Sequence, residues 1–288
     1  MQEIILVILK ASIVISVVSI GLKATFADAT FLFRHPVKLG RAFLSMNLVM
    51  PIVAVTLASA FDFHQAIKIA LIVLSVSPIP PILPNKAFKA GGKEEYIIGL
   101  LVAFAVLAII VIPATMEVVQ WFFGIPLSMP FSSVAVLVLI TILLPLLFGI
   151  TIRKFAESLA DRAAKLVGLI GLVLLAGCVL LILIGISGTL ISNLRVRAVA
   201  GLTIFAVVGL ITGHLMGGPE PANRHVLALT TSTRHPGIAI AIAQTNFPDQ
   251  KLTMFAVILY VLISAILFAV YLKFATRTTA GAGKAAVV

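Results

Sequence analysis

The sequence predicts an all-α protein that crosses a membrane about nine times, and three observations carry that prediction. The first is composition. Of 288 residues, 61% are hydrophobic and 11% charged, with a mean hydropathy of +1.21. A soluble domain is near half apolar and a quarter charged, so these residues lack the polar surface that a water-soluble protein of this size requires. An ordinary cytosolic enzyme and a disordered chain are both excluded. The second observation is that the apolar runs are long and continuous. Spanning helices need about 20 such residues, whereas strands of a membrane barrel are short and alternating. The third is a strong asymmetry of cations between alternate loops.

The runs are read in order as nine segments: 4–22, 42–61, 67–83, 97–116, 134–152, 166–186, 199–216, 226–243 and 252–274. The first follows Met1-Gln2-Glu3. With no positive stretch ahead of it and enough length to cross, it reads as a span and not as a cleaved signal peptide. The second carries Met50-Pro51. The third breaks at Pro78, Pro80, Pro81 and Pro84. The sixth contains Cys178, the sole cysteine, so no intrachain disulfide forms. The seventh holds His214. The eighth is interrupted at Pro236-Gly237. After the ninth, residues 276–288 are small and polar and are expected to be a disordered cytoplasmic tail. Residues 1–275 are expected to form one transmembrane domain, divided into a first repeat at about 4–116 and a second at about 134–274.

A net charge of +11 would suggest nucleic acid in a soluble protein. Here it reads as the orientation signal of a membrane protein, and no nucleic-acid partner is expected. Nine spans put fifteen cations on one side: Lys23, Arg34, Lys38, Arg41, Lys86, Lys89, Lys93, Arg153, Lys154, Arg162, Lys165, Arg224, Lys273, Arg277 and Lys284. The other side receives Lys68, Arg195, Arg197 and Lys251. Cytoplasmic loops carry the excess of Lys and Arg. The N-terminus is therefore expected outside and the C-terminus in the cytoplasm, in a multi-pass protein of the cell membrane.

No Asp or Glu lies deep in a predicted span, which argues against a proton pump or antiporter built on an intramembrane carboxylate. Two cations remain in spans. Lys10 is near the outer end of the first, where its stem can snorkel to the interface. Arg234 is near the middle of the eighth, in Leu229-Thr230-Thr231-Ser232-Thr233-Arg234-His235-Pro236-Gly237. An Arg at that depth must face protein or water. It is either a packing residue bonded to backbone carbonyls or a cation lining an anion site.

Prolines that lack an N–H and clash with the preceding turn end a helix. Unwound backbone at membrane depth is tolerated only where it is buried in protein or lines a cavity. Interrupted helices at matching positions of two halves point to a transporter's binding site. Segments one to four and six to nine share one order, span, span, interrupted span, span, with segment five turning the second set over. That is the pattern of an inverted repeat.

These residues resemble the bile acid:sodium symporter family over nearly the whole chain. Ser19-Ile20-Gly21-Leu22-Lys23, then Asp28 and Arg34-His35-Pro36, is similar to that family's pattern after a helix. Met50-Pro51 resembles its methionine-proline pair. Pro84-Asn85 followed by 86–95 resembles its first crossing helix, and Thr233 to Ala241 its second. The resemblance implies two inverted repeats, a panel and a core domain, two broken helices crossing in the core, and here a nine-helix version. It also implies sodium sites. In those positions this chain departs: Thr230 and Arg234 stand where the family has a Glu and a Gln, His235 where it has an Asn, and Pro84 where a Ser precedes the Asn. A Gln of the second span falls near Met46, with Asn47 beside it. Asn85, Asn47 and Thr230 are what remains for Na+, and neither sodium site is complete.

The expected function is secondary transport of a small or amphipathic organic anion, through Arg234, His235, Asn85, Thr230, Thr231, Ser232 and Thr233, with coupling to protons or to nothing. Alternatives are sodium-dependent symport through a rearranged site and a non-transporting membrane protein. No resident cofactor, metal centre or enzyme motif is expected. There is no His-Glu-x-x-His run and no Gly-x-Ser-x-Gly elbow. Substrate, direction and oligomeric state are not legible at this stage.

Overall fold

A computed structural model describes residues 2–80, 92–124, 130–193 and 196–285. Pro81, Pro84, Asn85, Lys86, Lys89 and Arg195 lie outside the described residues. Among those residues the chain is helical, with no strand. The elements are α1 (Gln2–Gly21), the short surface helix α2 (Phe26–Thr30), α3 (Pro36–Ala60), α4 (Gln65–Val76), α5 (Glu94–Phe123), α6 (Phe131–Phe155), α7 (Glu157–Asn193), α8 (Val196–Met216), α9 (Pro221–Ser232), α10 (Pro236–Asn246) and α11 (Leu252–Ala285). The last helix runs to Ala285, past residue 276, where the sequence places the start of a disordered tail.

Five described helices are long and apolar enough to cross a membrane: α3, α5, α6, α8 and the part of α11 from Leu252 to Lys273. That is fewer than the nine segments expected from the sequence. Two of the nine are cut in the middle by proline, which leaves α4, α9 and α10 at 11 or 12 residues each, too short to cross alone.

The helices sort into two sets. α1 packs on α6 and α7, while α3, α4, α8, α9, α10 and α11 pack among themselves. Small residues let the backbones approach, because lipid chains supply no hydrophobic drive between helices. Ser16 and Ser19 of α1 sit over Gly171 and Gly168 of α7, and Gly21 lies against Gly149 of α6. The Ser19 hydroxyl donates to the Ala164 carbonyl across that interface at 2.8 Å. In the second set, Gly209 and Gly213 of α8, and Gly217 just after it, face the main chain of α9 at Ser232, Ala228 and Arg224. A side chain at any of them would meet backbone.

Two helices carry a π-helical turn, Leu44–Val49 in α3 and Leu139–Leu143 in α6. Each sits just ahead of a proline, Pro51 and Pro145. Proline has no N–H and its ring crowds the carbonyl four residues back. Widening the ladder to i→i+5 relieves the crowding. In that register the N–H that would serve the Met46 carbonyl falls on residue 51, which has none. Met46 O is left without an intrahelical partner.

A candidate site where two broken helices meet

α4 stops at Val76, and Ser77 turns to extended backbone (φ −70°, ψ 143°). Pro78 and Pro80 follow and bring no N–H groups. The Leu74 carbonyl is answered twice, by the Ser77 N–H and the Ser77 hydroxyl. Among the described residues, the donors to the Ser77 and Pro78 carbonyls come from another part of the chain.

That part is the break between α9 and α10. α9 stops at Ser232, Thr233 is extended (φ −110°, ψ 138°) and α10 restarts at Pro236. The His235 N–H donates to Pro78 O at 2.9 Å. The Arg234 guanidinium donates from Nη1 to Ser77 O at 3.2 Å and from Nη2 to Met46 O at 3.0 Å. Three carbonyls that proline deprives of partners thus receive three donors from two consecutive residues. The two breaks meet, as their positions in the sequence lead one to expect.

Arg234 is 2% exposed. No ion pair among the described residues includes it, and its Nε has no partner there. What balances the charge is main chain: two direct carbonyls, and the C-terminal ends of α4 and α9, where the helix dipole is negative. Of the two readings open from the sequence, the buried Arg bonded to backbone carbonyls describes this conformation. Each Nη spends one of its two N–H groups on a carbonyl.

His235 caps α10. Its Nδ1 accepts from the Ile238 N–H at 3.3 Å, which places the ring proton of the neutral imidazole on Nε2. Nε2 is buried with no partner among the described residues. His235 borders a cavity of about 120 Å³ between α1, α6 and α10, together with Lys10, Thr141, Gln244 and an apolar wall that includes Leu9, Ile13, Leu137 and Ile238. Lys10, which the sequence left as a snorkelling residue, and Gln244, which it left aside, join the site. The signal for Lys10 was its being the sole charge inside the first apolar run.

The hydroxyls proposed as ligands are turned inward. Thr230 donates to Val226 O, and Ser232 and Thr233 both donate to Leu229 O. Thr231 is bonded to Ser45 of α3 at 2.8 Å. They stabilise the end of α9 and its seat on α3, and in this conformation none reaches the cavity. Tyr260 of α11, absent from the sequence expectation, donates from its hydroxyl to Ser232 O and closes the last orphan carbonyl of α9. Asn47 is half-buried in the π turn of α3. Gly237, beside the break, has the His235 ring and Ile13 against it.

A family profile for the sodium bile acid symporters matches residues 11–194. No curated protein matches the chain. The matched stretch takes in the break after α4 and ends ahead of the one that holds Arg234. The chain belongs to the sodium bile acid symporter family, and it is a multi-pass helical membrane transporter.

Proposed function

We propose that this transporter carries a small or amphipathic organic anion, and that Arg234 takes the place of a coupling cation. The observation that carries the proposal is the pair of hydrogen bonds from Arg234 to Ser77 O and Met46 O. Unwound carbonyls and the C-terminal ends of half-helices are the groups with which broken-helix transporters hold Na+. Here a guanidinium occupies them, and it cannot dissociate. Thr230 and Arg234 stand where the family carries a carboxylate and an amide, so the departure lies in the same place.

In this reading the chain crosses nine times as two inverted repeats. α1, α6 and α7 form the panel, the remaining spans the core, and the cation-rich loops and C-terminus are cytoplasmic. The cavity between α1, α6 and α10 lies between the two sets of helices. Lys10, the Nε2–H of His235 and Gln244 are its donors, and its apolar wall suits the body of an amphipathic anion. The hydroxyls of Thr230 to Thr233 support the crossing. Asn85 belongs to the same reading as a further neutral ligand.

A second reading has a specific observation behind it. The family's own description names sodium, and Asn47 stands beside Met46 in the π turn of α3. A sodium-dependent symporter with a rearranged site would use it. Uptake into proteoliposomes separates the two: transport is expected to persist when Na+ is replaced by K+ on both sides. Strict dependence on Na+, together with a harmless Arg234→Gln substitution, would overturn the first reading in favour of the second.

A further inference from the structure

A second cleft, lined by none of the residues of the crossing and independent of the transport reading, lies at the cation-rich end of the helices. It measures about 300 Å³ and is bordered by Arg34, His35, Lys38 and Arg41 around the start of α3, by Tyr96 of α5, and by Glu220 and Asn223 at the start of α9. Three features of it point to a bound anion.

The first is charge. Arg34, Lys38 and Arg41 border the cleft against one carboxylate, Glu220. That carboxylate is itself shared between Lys38 at 3.2 Å and Lys93 at 3.4 Å. The second is the pair of helix starts. α3 opens His35-Pro36 and α9 opens Glu220-Pro221, and neither N-cap side chain bonds the turn it precedes. Free N–H groups and the positive ends of two dipoles therefore converge on one space, an arrangement that favours negative charge. The third is an unmatched acceptor. Asn223 is 3% exposed, and its Oδ1 has no partner among the described residues. It calls for a donor on the ligand itself.

The remaining contacts show that the walls are braced. Arg34 donates to Ala27 O. The His35 Nδ1–H donates to Phe31 O at 2.8 Å while its ring stacks on Phe31. Arg224 donates to Gly218 O. Gly218 has φ +85°, and a Cβ there would run into the Arg41 guanidinium, so glycine is needed both for the turn and for the approach of Arg41.

We propose that this cleft binds a phosphate monoester. Such a group has several acceptor oxygens for the guanidinium forks and the free N–H groups. Its second ionisation lies near neutrality, so a P–OH is available for Asn223 Oδ1. The headgroup of phosphatidic acid and the soluble molecule glycerol 3-phosphate offer the same chemistry. Basic pockets between spanning helices on the cytoplasmic side are a recognised seat for anionic headgroups.

The test uses the full chain in phosphatidylcholine nanodiscs, with the unfolding temperature as readout. Phosphatidic acid or glycerol 3-phosphate is expected to raise it by several degrees, as a ligand of the folded state does. A shift with the lipid alone assigns a headgroup, and a shift with the soluble ester assigns a free phosphate; either supports the site. Arg34→Gln with Arg41→Gln should weaken binding about tenfold or more, by loss of charge-assisted contacts, whereas Arg162→Gln on exposed α7 should leave it unchanged. Val37→Glu is the second variant. Val37 borders the cleft and is 67% exposed, and an acid in the first turn of α3 suits the dipole. The fold is thereby kept while the site is filled with a carboxylate. Absence of a shift with both probes, an equal shift with phosphatidylglycerol, or a shift that survives Val37→Glu would overturn the proposal.

Discussion

The two breaks that meet at the crossing are opposites. The one after α4 is all acceptor: prolines at 78 and 80 remove donors, and the Ser77 and Pro78 carbonyls turn outward. The one between α9 and α10 is all donor, with a guanidinium and a main-chain N–H from consecutive residues. A pair of proline breaks with similar chemistry would leave a ring of orphan carbonyls and require an ion from solution. Here the second break brings its own guanidinium to two of the carbonyls.

The largest expected effect comes from removing that donor. Arg234→Met keeps the bulk and leaves Ser77 O and Met46 O buried and unmatched. Each orphan carbonyl costs about 1–3 kcal/mol, set against relief of the buried charge. A net loss of about 3 kcal/mol is expected in detergent unfolding, together with loss of transport. Unchanged stability would show that the acceptor break does not depend on Arg234.

A smaller effect sharpens the origin of the acceptors. Pro51→Ala restores an N–H in the π turn, where it is in register with Met46 O. In the Arg234→Met background it should recover about 1 kcal/mol, the worth of one buried hydrogen bond. In the wild type it should recover nothing, since that carbonyl is already bonded. The four unfolding free energies form a double-mutant cycle, and strict additivity would refute the account of Met46.

Tyr260→Phe removes the donor to Ser232 O beside the break. A loss of about 1 kcal/mol is expected, with uptake retained, because this bond supports the donor segment and is not part of the junction. Abolished uptake at wild-type stability would move Tyr260 into the transport machinery.

The smallest effect lies far from the crossing. The hydrogen bond from Lys38, and then the charge of Lys93, hold the Glu220 carboxyl below its ordinary value of 4.5. A carboxyl lowered by folding stabilises the fold above its unfolded pKa, and that contribution is lost as the pH falls through the folded value. With 40% of the side chain exposed, the pair is worth under about 1 kcal/mol. Glu220→Gln should fall slightly below the wild type in stability at pH 7, and the gap should close as the pH falls through the folded value, as read by thermal unfolding across that range.

The breaks themselves were legible, because proline and hydroxyl clusters inside apolar runs need no third dimension to be seen. So was Arg234, as a cation at a depth that demands a partner. Its partner was not. A free carbonyl on Met46 requires a π turn, and nothing in the local pattern of α3 other than Pro51 announces one. Of the nine apolar runs, five are described helices that meet length and hydropathy for a span, and two are the broken helices, whose halves look like one run in sequence. The basic cleft was missed for a different reason. Its cations were assigned as loop charges, and the residues that complete it lie about 180 positions further on. The pairs His35-Pro36 and Glu220-Pro221, each a helix start whose preceding side chain leaves the turn uncapped, were the available hint.

A cation held by the chain is never delivered. Whatever movement exposes the crossing to one side and then the other, Arg234 makes the return journey with the protein, so its charge cancels over a complete cycle. The net current is then the substrate's alone. With the cell interior negative, each monovalent anion carried inward works against about 2.3 kcal/mol per 100 mV, and the same voltage drives the anion outward. On the proposed reading, in which Arg234 replaces sodium, the protein exports by default unless a proton travels with the substrate. Substrate-evoked current in voltage-clamped membranes, one negative charge per molecule moved, is the signature to measure; an electroneutral cycle without proton movement would contradict it.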